Sequence, residues 1–491
     1  MLFASERVNF KKKQSMKLRF IYILFLGSLL ASYGCASSGE TIVVSGDPTI
    51  FSTSDQSTPD SALDPVDDFV KLSIGENNPI NSLDPLFAYS TSELRAVNFI
   101  YEGLTRINDQ NIIEGALASS WGISEDSTVY IFNLRTDVYF HDSNIFGSGF
   151  GRKVMPSDID FVFNRMANIE VPAHTGKRFT NILGFDPLFK EKHLVLNPAE
   201  RVLSGINGID IVNDSTISFT LIAPDPLFLY KLAQPSASIY PRESISENKV
   251  ITRPIGTGPF IYIREDNEGI TILGKNQNYR DPVAINRLDI ISGLSQSTLY
   301  QAFARQQIDI IPELSPDIAN TVLDEENNIL ASFSDMYNVS ASSAKLVYNI
   351  FFNEESDYSK SALMRIASEP GVFESDNRYQ FGFAPDNDTN FEFNTFPVLY
   401  TTFTEDPFVL SMYSRLSSVL NKYDSSIQLT DIKVPFPQVA LYASDFPHDG
   451  ASPIISFSSK IFALSHNYVS GFTFNNEAWW LNLNSLTIDK E

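Results

Sequence analysis

One cysteine in 491 residues, Cys35, constrains the fold before any other feature. A chain with a single thiol cannot close an internal disulfide, so its body must be held by packing and hydrogen bonding. The material for such a core is present: 43% of the residues are hydrophobic and 12% aromatic, and the length suits about three domain-sized units. The cysteine follows Lys17, Arg19 and an uncharged apolar run from Phe20 that ends in the small residues Ala31, Ser32 and Gly34. A basic start, an apolar middle and a small-residue exit are the parts of a secretory signal. The run is short for a bilayer span, which takes roughly 17–25 residues. Met16 is a second possible start, opening a leader of ordinary length.

The same stretch resembles a bacterial lipoprotein signal, in which the cysteine becomes the lipidated first residue of the mature chain. That resemblance implies a signal peptide over residues 1–34, lipid attachment at Cys35, and a protein exported to the periplasmic or cell-envelope side and anchored there. Ser32 stands three positions before the cysteine, where such signals usually carry Leu. The alternative is a free thiol behind an uncleaved anchor. The leader holds six basic residues and one acidic residue, so the remainder carries 30 basic against 58 acidic, net −28. Such a surface repels nucleic acid, and no nucleic-acid partner is expected. Residues 35–67, rich in Ser, Thr, Asp, Gly and Pro, read as a flexible tether.

Beyond the tether, strands and helices interleave. Phe69 to Ile74 reads as a buried strand and Thr91 to Leu104 as a helix with apolar residues at helical spacing. Thr128 to Leu134 and Thr216 to Leu221 alternate apolar and polar residues as half-buried strands do. Ser157, with Asp160 three residues on, reads as a helix N-cap before the apolar face of Ile159, Phe161, Val162, Phe163 and Met166. Trp121, Phe132 and Phe140 read as core aromatics. Gly256-Thr257-Gly258-Pro259 lacks the Gly-Lys-Ser/Thr of a phosphate loop, and Pro259 removes a backbone donor, so a tight crossing is expected. His141-Asp142 is expected to make a structural hydrogen bond. The architecture is α/β.

These pieces carry a more specific likeness. Tyr101 to Arg106, Ile113 to Trp121, Tyr130 to Arg135, Val138 to Asp142, Ser157 to Phe163, Ile255 to Phe260, Asn276 to Tyr279 and Ala302 to Ile310 together resemble the family 5 extracellular solute-binding proteins. These are the dipeptide-, oligopeptide- and nickel-binding receptors of ABC importers. The resemblance implies a two-lobed periplasmic-binding-protein type II clamp with an extra domain. By analogy residues 68–100, 237–312 and 466–491 form a discontinuous first lobe, 101–236 its extra domain and 313–465 a shortened second lobe. It also implies a non-enzymatic protein without cofactor, which captures peptides or similar small solutes between its lobes and delivers them to a membrane permease.

The second lobe departs from the family. Lys345 to Asn353 resembles the family's strand ending in Asn, and Asp406 to Leu420 and Ile432 to Leu441 resemble its later helix and strand. Peptide-binding relatives hold the ligand's α-amine with an aspartate after a strand. In one register Ile454 to Ser459 is that strand, which puts Lys460 where the aspartate belongs. A literal match to the family's Asp-Tyr-Pro-Asp-Pro is Asp445 to Asp449, and both readings stay open. Tyr348, Asn349, Phe352, Asn353 and Phe457 complete the candidate ligand set. Trp479-Trp480 could also stack on a ligand, and on a strand only one of the two could face inward. A clamp that serves as a sensor or surface lipoprotein, without transport, is the second reading. A hydrolase finds no Gly-x-Ser-x-Gly or His-Glu-x-x-His motif, and the five histidines show no pair at metal-ligand spacing.

Overall fold

The structure is a computed structural model. It describes residues 69–246, 249–352, 379–383, 439–443 and 455–489. Cys35, the tether, Asn353, Asp445 and the segment Asp406 to Leu420 lie outside those residues.

The chain opens with β1 (Lys71–Glu76), buried after its first residue, and α1 (Thr91–Ile100). The helix stops four residues before the expected Leu104, its C-cap Tyr101 being extended. The short pair β2 (Thr105–Ile107) and β3 (Ile113–Gly115) leads to β4 (Ala118–Ile123) and β5 (Val129–Leu134). After α2 (Pro156–Met166), α3 (Ala173–Lys177) and α4 (Phe185–Leu194) come β6 (Ile209–Asn213), β7 (Thr216–Thr220) and α5 (Phe228–Leu232). Strands β4, β5, β7 and β6, in that order, form an antiparallel sheet. In β5 the alternation buries Tyr130, Phe132 and Leu134 and exposes Ile131 and Asn133, as a sheet with one wet face requires. Its dry face packs rings edge to face: Phe219 meets Phe132 at 5.8 Å and Phe163 of α2 at 5.1 Å.

The cap of α2 corrects the sequence reading. Met155, not Ser157, is the N-cap, with Pro156 in the first turn. Proline's fixed φ and missing N–H suit that position, which moves the start of the helix forward. Asp158 is therefore the residue whose carboxylate reaches back to the Met155 N–H, at 2.9 Å, while Asp160 accepts from the Asn164 side chain instead.

The remaining strands are β8 (Phe260–Glu265), β9 (Ile270–Lys275), β10 (Arg287–Ser292), β11 (Ile310–Ile311), β12 (Tyr337–Phe352), β13 (Tyr379–Phe383), β14 (Val439–Ala443) and β15 (Ile455–His466). Two brief strands, β16 (Val469–Ser470) and β17 (Thr487–Ile488), close the chain. Helices α6 (Gln296–Ala304) and α7 (Pro316–Val322) flank β11. Strands β14-β12-β15-β11-β1-β10-β9-β8 form one sheet in that order, with β13 added to β15. Among the described residues, only β1 with β10 and β1 with β11 pair in parallel.

Two long strands dominate this sheet. β12 and β15 run antiparallel from Tyr337↔His466 to Ile350↔Ile455, with a bulge between Ala341 and Lys345. On its other edge β15 pairs first with β11, through Ser465 and Leu464, and then with β13, from Ser459 onward. Between those partners its edge receives the Leu314 N–H at the Phe462 carbonyl, 2.9 Å away. His466 anchors the near end: its ring stacks on Phe303 at 4.1 Å and its Nε2 lies 2.8 Å from the Phe303 carbonyl.

The glycine segment is the tight crossing expected. A Cβ on Gly256 would lie 2.1 Å from the Ile100 carbonyl oxygen, so only glycine fits against the end of α1. His141 clasps the segment with both ring nitrogens. The Gly256 N–H donates to Nδ1 at 3.3 Å, and Nε2 lies 3.0 Å from the Gly258 carbonyl. Those partners require the tautomer protonated at Nε2.

Candidate functional site

The parallel strands β10, β1 and β11 end on one side of the sheet, and open α/β sheets hold ligands outside such carboxyl ends. The rim there is built from buried polar groups. Glu76, the last residue of β1, accepts from Arg95 Nε at 2.7 Å and from the Ser92 hydroxyl at 2.9 Å. Arg95, 1% exposed, also donates to the Ala478 carbonyl, and its Nη2 has no hydrogen-bond partner among the described residues. The Glu93 carboxylate accepts four backbone N–H groups, from Asn81, Ser82, Tyr89 and Ser90, at 3.0–3.2 Å. Ser90 returns the bond to the Glu93 N–H, completing a capping box. One side chain thus fixes both the loop after β1 and the start of α1. Gln296 bridges the Glu313 carbonyl and the Ser315 N–H, and the Thr91 hydroxyl donates to the Glu313 carboxylate at 3.1 Å.

None of these rim residues was singled out from sequence. The Ser90-x-x-Glu93 pattern was the signal available for one of them, because that spacing before an apolar helix marks a capping box. Glu76 and Arg95 are 19 residues apart, and no local pattern pairs them.

The candidate ligand residues fall on the long strands. Tyr348 and Phe457 are register partners, and Phe457 is also opposite Phe381 of β13. Asn349, the next position, stands between Ser456 and Tyr442, and Phe352 is opposite Val439. Lys460 is exposed and opposite Lys345 at the first rung past the bulge. The strand does not stop at Lys460 but continues to His466. The strand that does end just before a candidate aspartate is β14, whose last residue is Ala443, two before Asp445.

The tryptophan pair departs from strand alternation, in which only one of the two rings could face inward. Trp479 and Trp480 are 5% and 8% exposed. They lie in a turn, closed by the Trp480 N–H on the Glu477 carbonyl, so the alternation of a strand does not apply. Both line a cavity of about 140 Å³ that also borders Asn98 and Tyr101, at the C-terminal end of α1. Nine residues of helix rise separate that end from the rim at Thr91, on the order of 14 Å.

The arrangement defines a class: an α/β fold in which two long antiparallel strands extend a mixed sheet and a polar rim lies at the carboxyl ends of its parallel core. Residues 113–367, just over half of the chain, match the family described as bacterial extracellular solute-binding proteins, family 5 Middle, and the chain belongs to that family. The chain is 28% identical over 241 residues to heme-binding protein A of Haemophilus influenzae, covering 48% of this chain and 40% of that protein. It is 26% identical over 253 residues to the dipeptide-binding protein of Escherichia coli, covering 49% and 44%. The chain thus spans less than half the length of these relatives. Among solved structures, the ABC transporter-associated periplasmic binding protein DppA from Helicobacter pylori, in complex with the peptide STSA, superposes with a TM-score of 0.65 at 16% identity. That superposition covers 86% of this chain and 98% of DppA. No helix among the described residues is long and apolar enough to cross a membrane.

Proposed function

We propose that the chain is the substrate-binding lipoprotein of an ABC importer, which takes a peptide or similar small solute between its lobes and presents it to a membrane permease. The observation that carries this reading is the break along β15, whose edge passes from β11 to β13 while its ladder with β12 continues on both sides of the bulge. A two-stranded ribbon between two wider pieces of sheet is a natural place for one lobe to turn on the other. The first lobe includes β1 and β8 to β11, the sheet of β4 to β7 is the core of an extra domain, and β13 and β14 belong to the second lobe. Tyr348, Asn349, Phe352, Asn353 and Phe457 make up the candidate ligand set on the crossing strands and just beyond. Asp445, two residues beyond the end of β14 in sequence, is the better candidate to hold a ligand amine, since Lys460 lies in mid-strand. Closure follows by population shift, because a solute that touches both lobes only when they are closed favours that state.

Two experiments test this reading. Native mass spectrometry of the purified chain is expected to reveal a co-purified solute. Adding that solute back to stripped protein is expected to reduce the radius of gyration in small-angle scattering, and a saturating solute that leaves it unchanged would show a rigid module instead. The lipid anchor is tested separately, since Cys35→Ser should move the protein from the membrane pellet to the soluble fraction with an unaltered melting temperature. An unchanged membrane fraction would refute lipidation.

A further inference from the structure

We propose that the cavity beside Trp479 and Trp480 is a second binding site, separate from the rim at the carboxyl ends of β1, β10 and β11, which takes a neutral, hydroxyl-bearing ring the size of one monosaccharide. The inference goes beyond the solute-binding reading above and does not depend on it.

The walls of the cavity are joined by ionic and polar contacts between distant parts of the chain. Arg106 of β2 reaches Glu114 of β3 at 2.6 Å and Asp281 at 2.7 Å, which ties the hairpin to the loop after β9. At the hairpin tip Asp109 accepts from the Thr473 hydroxyl and from the Asn482 side-chain amide, both at 3.0 Å. Glu102, just past α1, accepts from the Thr257 hydroxyl at 2.9 Å and from both terminal nitrogens of Arg280. These bonds fix the walls. They also engage each of the four charged side chains among the described lining residues, Glu102, Arg106, Asp109 and Glu114.

The groups left over are neutral. Asn98 of α1 and Asn484 line the cavity half-buried, and neither side-chain amide has a hydrogen-bond partner among the described residues. The indole N–H groups of Trp479 and Trp480 also have none, although the rings are only 5% and 8% exposed. A buried tryptophan N–H usually finds an acceptor. Each asparagine offers one acceptor and two donors, and a hydroxyl turns to donate or accept as its neighbour requires. A ring with several hydroxyls therefore answers both amides and both indoles, while its C–H faces suit the apolar part of the wall, the usual division of labour in small-molecule sites. Size gives the same class. The volume is about 140 Å³, and an apolar cavity of about 150 Å³ admits one benzene, so there is room for a single six-membered ring and not for an extended peptide. Charge excludes anions, since three carboxylates face one guanidinium on the lining.

The test is titration of the full chain carrying Trp121→Phe, which leaves Trp479 and Trp480 as its only tryptophans. The probes are glucose, galactose, N-acetylglucosamine and myo-inositol, followed by intrinsic fluorescence and, on the wild-type chain, by calorimetry. At least one of them is expected to bind saturably, with glucuronate and phenol at least tenfold weaker. Asn98→Ala and Asn484→Ala should each weaken that binding about tenfold, as expected when hydrogen bonds to a bound ligand are lost. Both variants should melt near wild type, because neither amide holds another part of the chain. Absence of a saturable response to all four probes by both readouts would show a cavity filled by solvent only and would overturn the site. Binding that both variants leave unchanged would place the ring elsewhere on the molecule. Phenol or glucuronate binding as tightly as the best of the four would overturn the neutral, hydroxylated class. Each of these outcomes leaves the clamp reading standing, since that reading is judged by compaction on its own solute.

Discussion

Asp84→Ala is expected to lower the unfolding free energy by about 3–5 kcal/mol, the usual cost of removing one partner of a buried ion pair. Asp84 and Arg165 are 2% and 5% exposed at their side chains. Arg165 Nη1 donates to Asp84 Oδ1 at 2.9 Å and to the Tyr240 hydroxyl at 2.7 Å, while Nη2 donates to Asp84 Oδ2 and to the Lys249 carbonyl. Burial works against the guanidinium charge, and the bonds to Asp84 and Tyr240 outweigh it. Asp84 also accepts the Leu86 and Ile251 amides. The substitution therefore orphans a buried cation and two backbone donors at once. Because Asp84 lies in the loop after β1 and Arg165 at the end of α2, the pair joins the loop that shapes the rim to the helix packed on the four-stranded sheet. Urea unfolding monitored by circular dichroism measures the change. A companion Asp84→Ala/Arg165→Met variant should recover much of the loss, since it removes the stranded charge as well. A single variant within 1 kcal/mol of wild type would mean that the cation finds water or another acceptor.

Acid should weaken the fold through His141 in a definite window. Burial depresses this imidazole from 6.5 to about 4, against partial support for its charge from the Gly258 carbonyl and Asp142. The unfolded chain therefore takes up the proton first as pH falls, and the stability held by neutral His141 is complete above about pH 6.5 and lost progressively toward pH 4. The loss is about 3 kcal/mol at roughly 1.4 kcal/mol per pH unit of displacement. Protonation also gives Nδ1 a hydrogen where it now accepts the Gly256 N–H, so the damage falls on the crossing that lies against the end of α1. Urea midpoints at pH 7, 6, 5 and 4 for wild type and His141→Gln separate this residue from the many carboxylates that titrate nearby. Wild type should lose stability more steeply than the variant between pH 6.5 and 4. Parallel pH profiles would remove His141 as the cause.

What the sequence discloses and what it hides follow the reach of the interactions involved. Thr128 to Leu134 could be read as a strand because alternation is a property of neighbours, and β5 buries the residues that its pattern marks. The cap at Ser157 missed by two residues because Pro156 sets the start of α2, and two carboxylates, Asp158 and Asp160, competed for one role. The tryptophan pair failed for a different reason. Strand alternation was applied to residues that fold as a turn, and their burial comes from Leu94 of α1, Ile107 of β2 and Tyr230 and Ala233 at α5, all more than 240 residues earlier. The course of β15 was least legible of all. Its partners Ile310 and Tyr337 are over 120 residues away, so nothing in the letters around Lys460 shows that the strand continues to His466. The candidate ligand positions could be listed from a family likeness, whereas the buried Glu76–Arg95 pair and the Lys345–Lys460 rung needed the fold to bring them together.

The chain runs outward along β12 and returns along β15, its antiparallel neighbour. Everything between Phe352 and Ile455 is therefore, in topological terms, an insertion into the open end of a hairpin. Its two attachment points are adjacent and already hydrogen-bonded, so an exchange of that insertion leaves the ladder from Tyr337↔His466 to Ala341↔Phe462 untouched. An insertion attached in this way can change in length or sequence while the ribbon that carries it stays as it is.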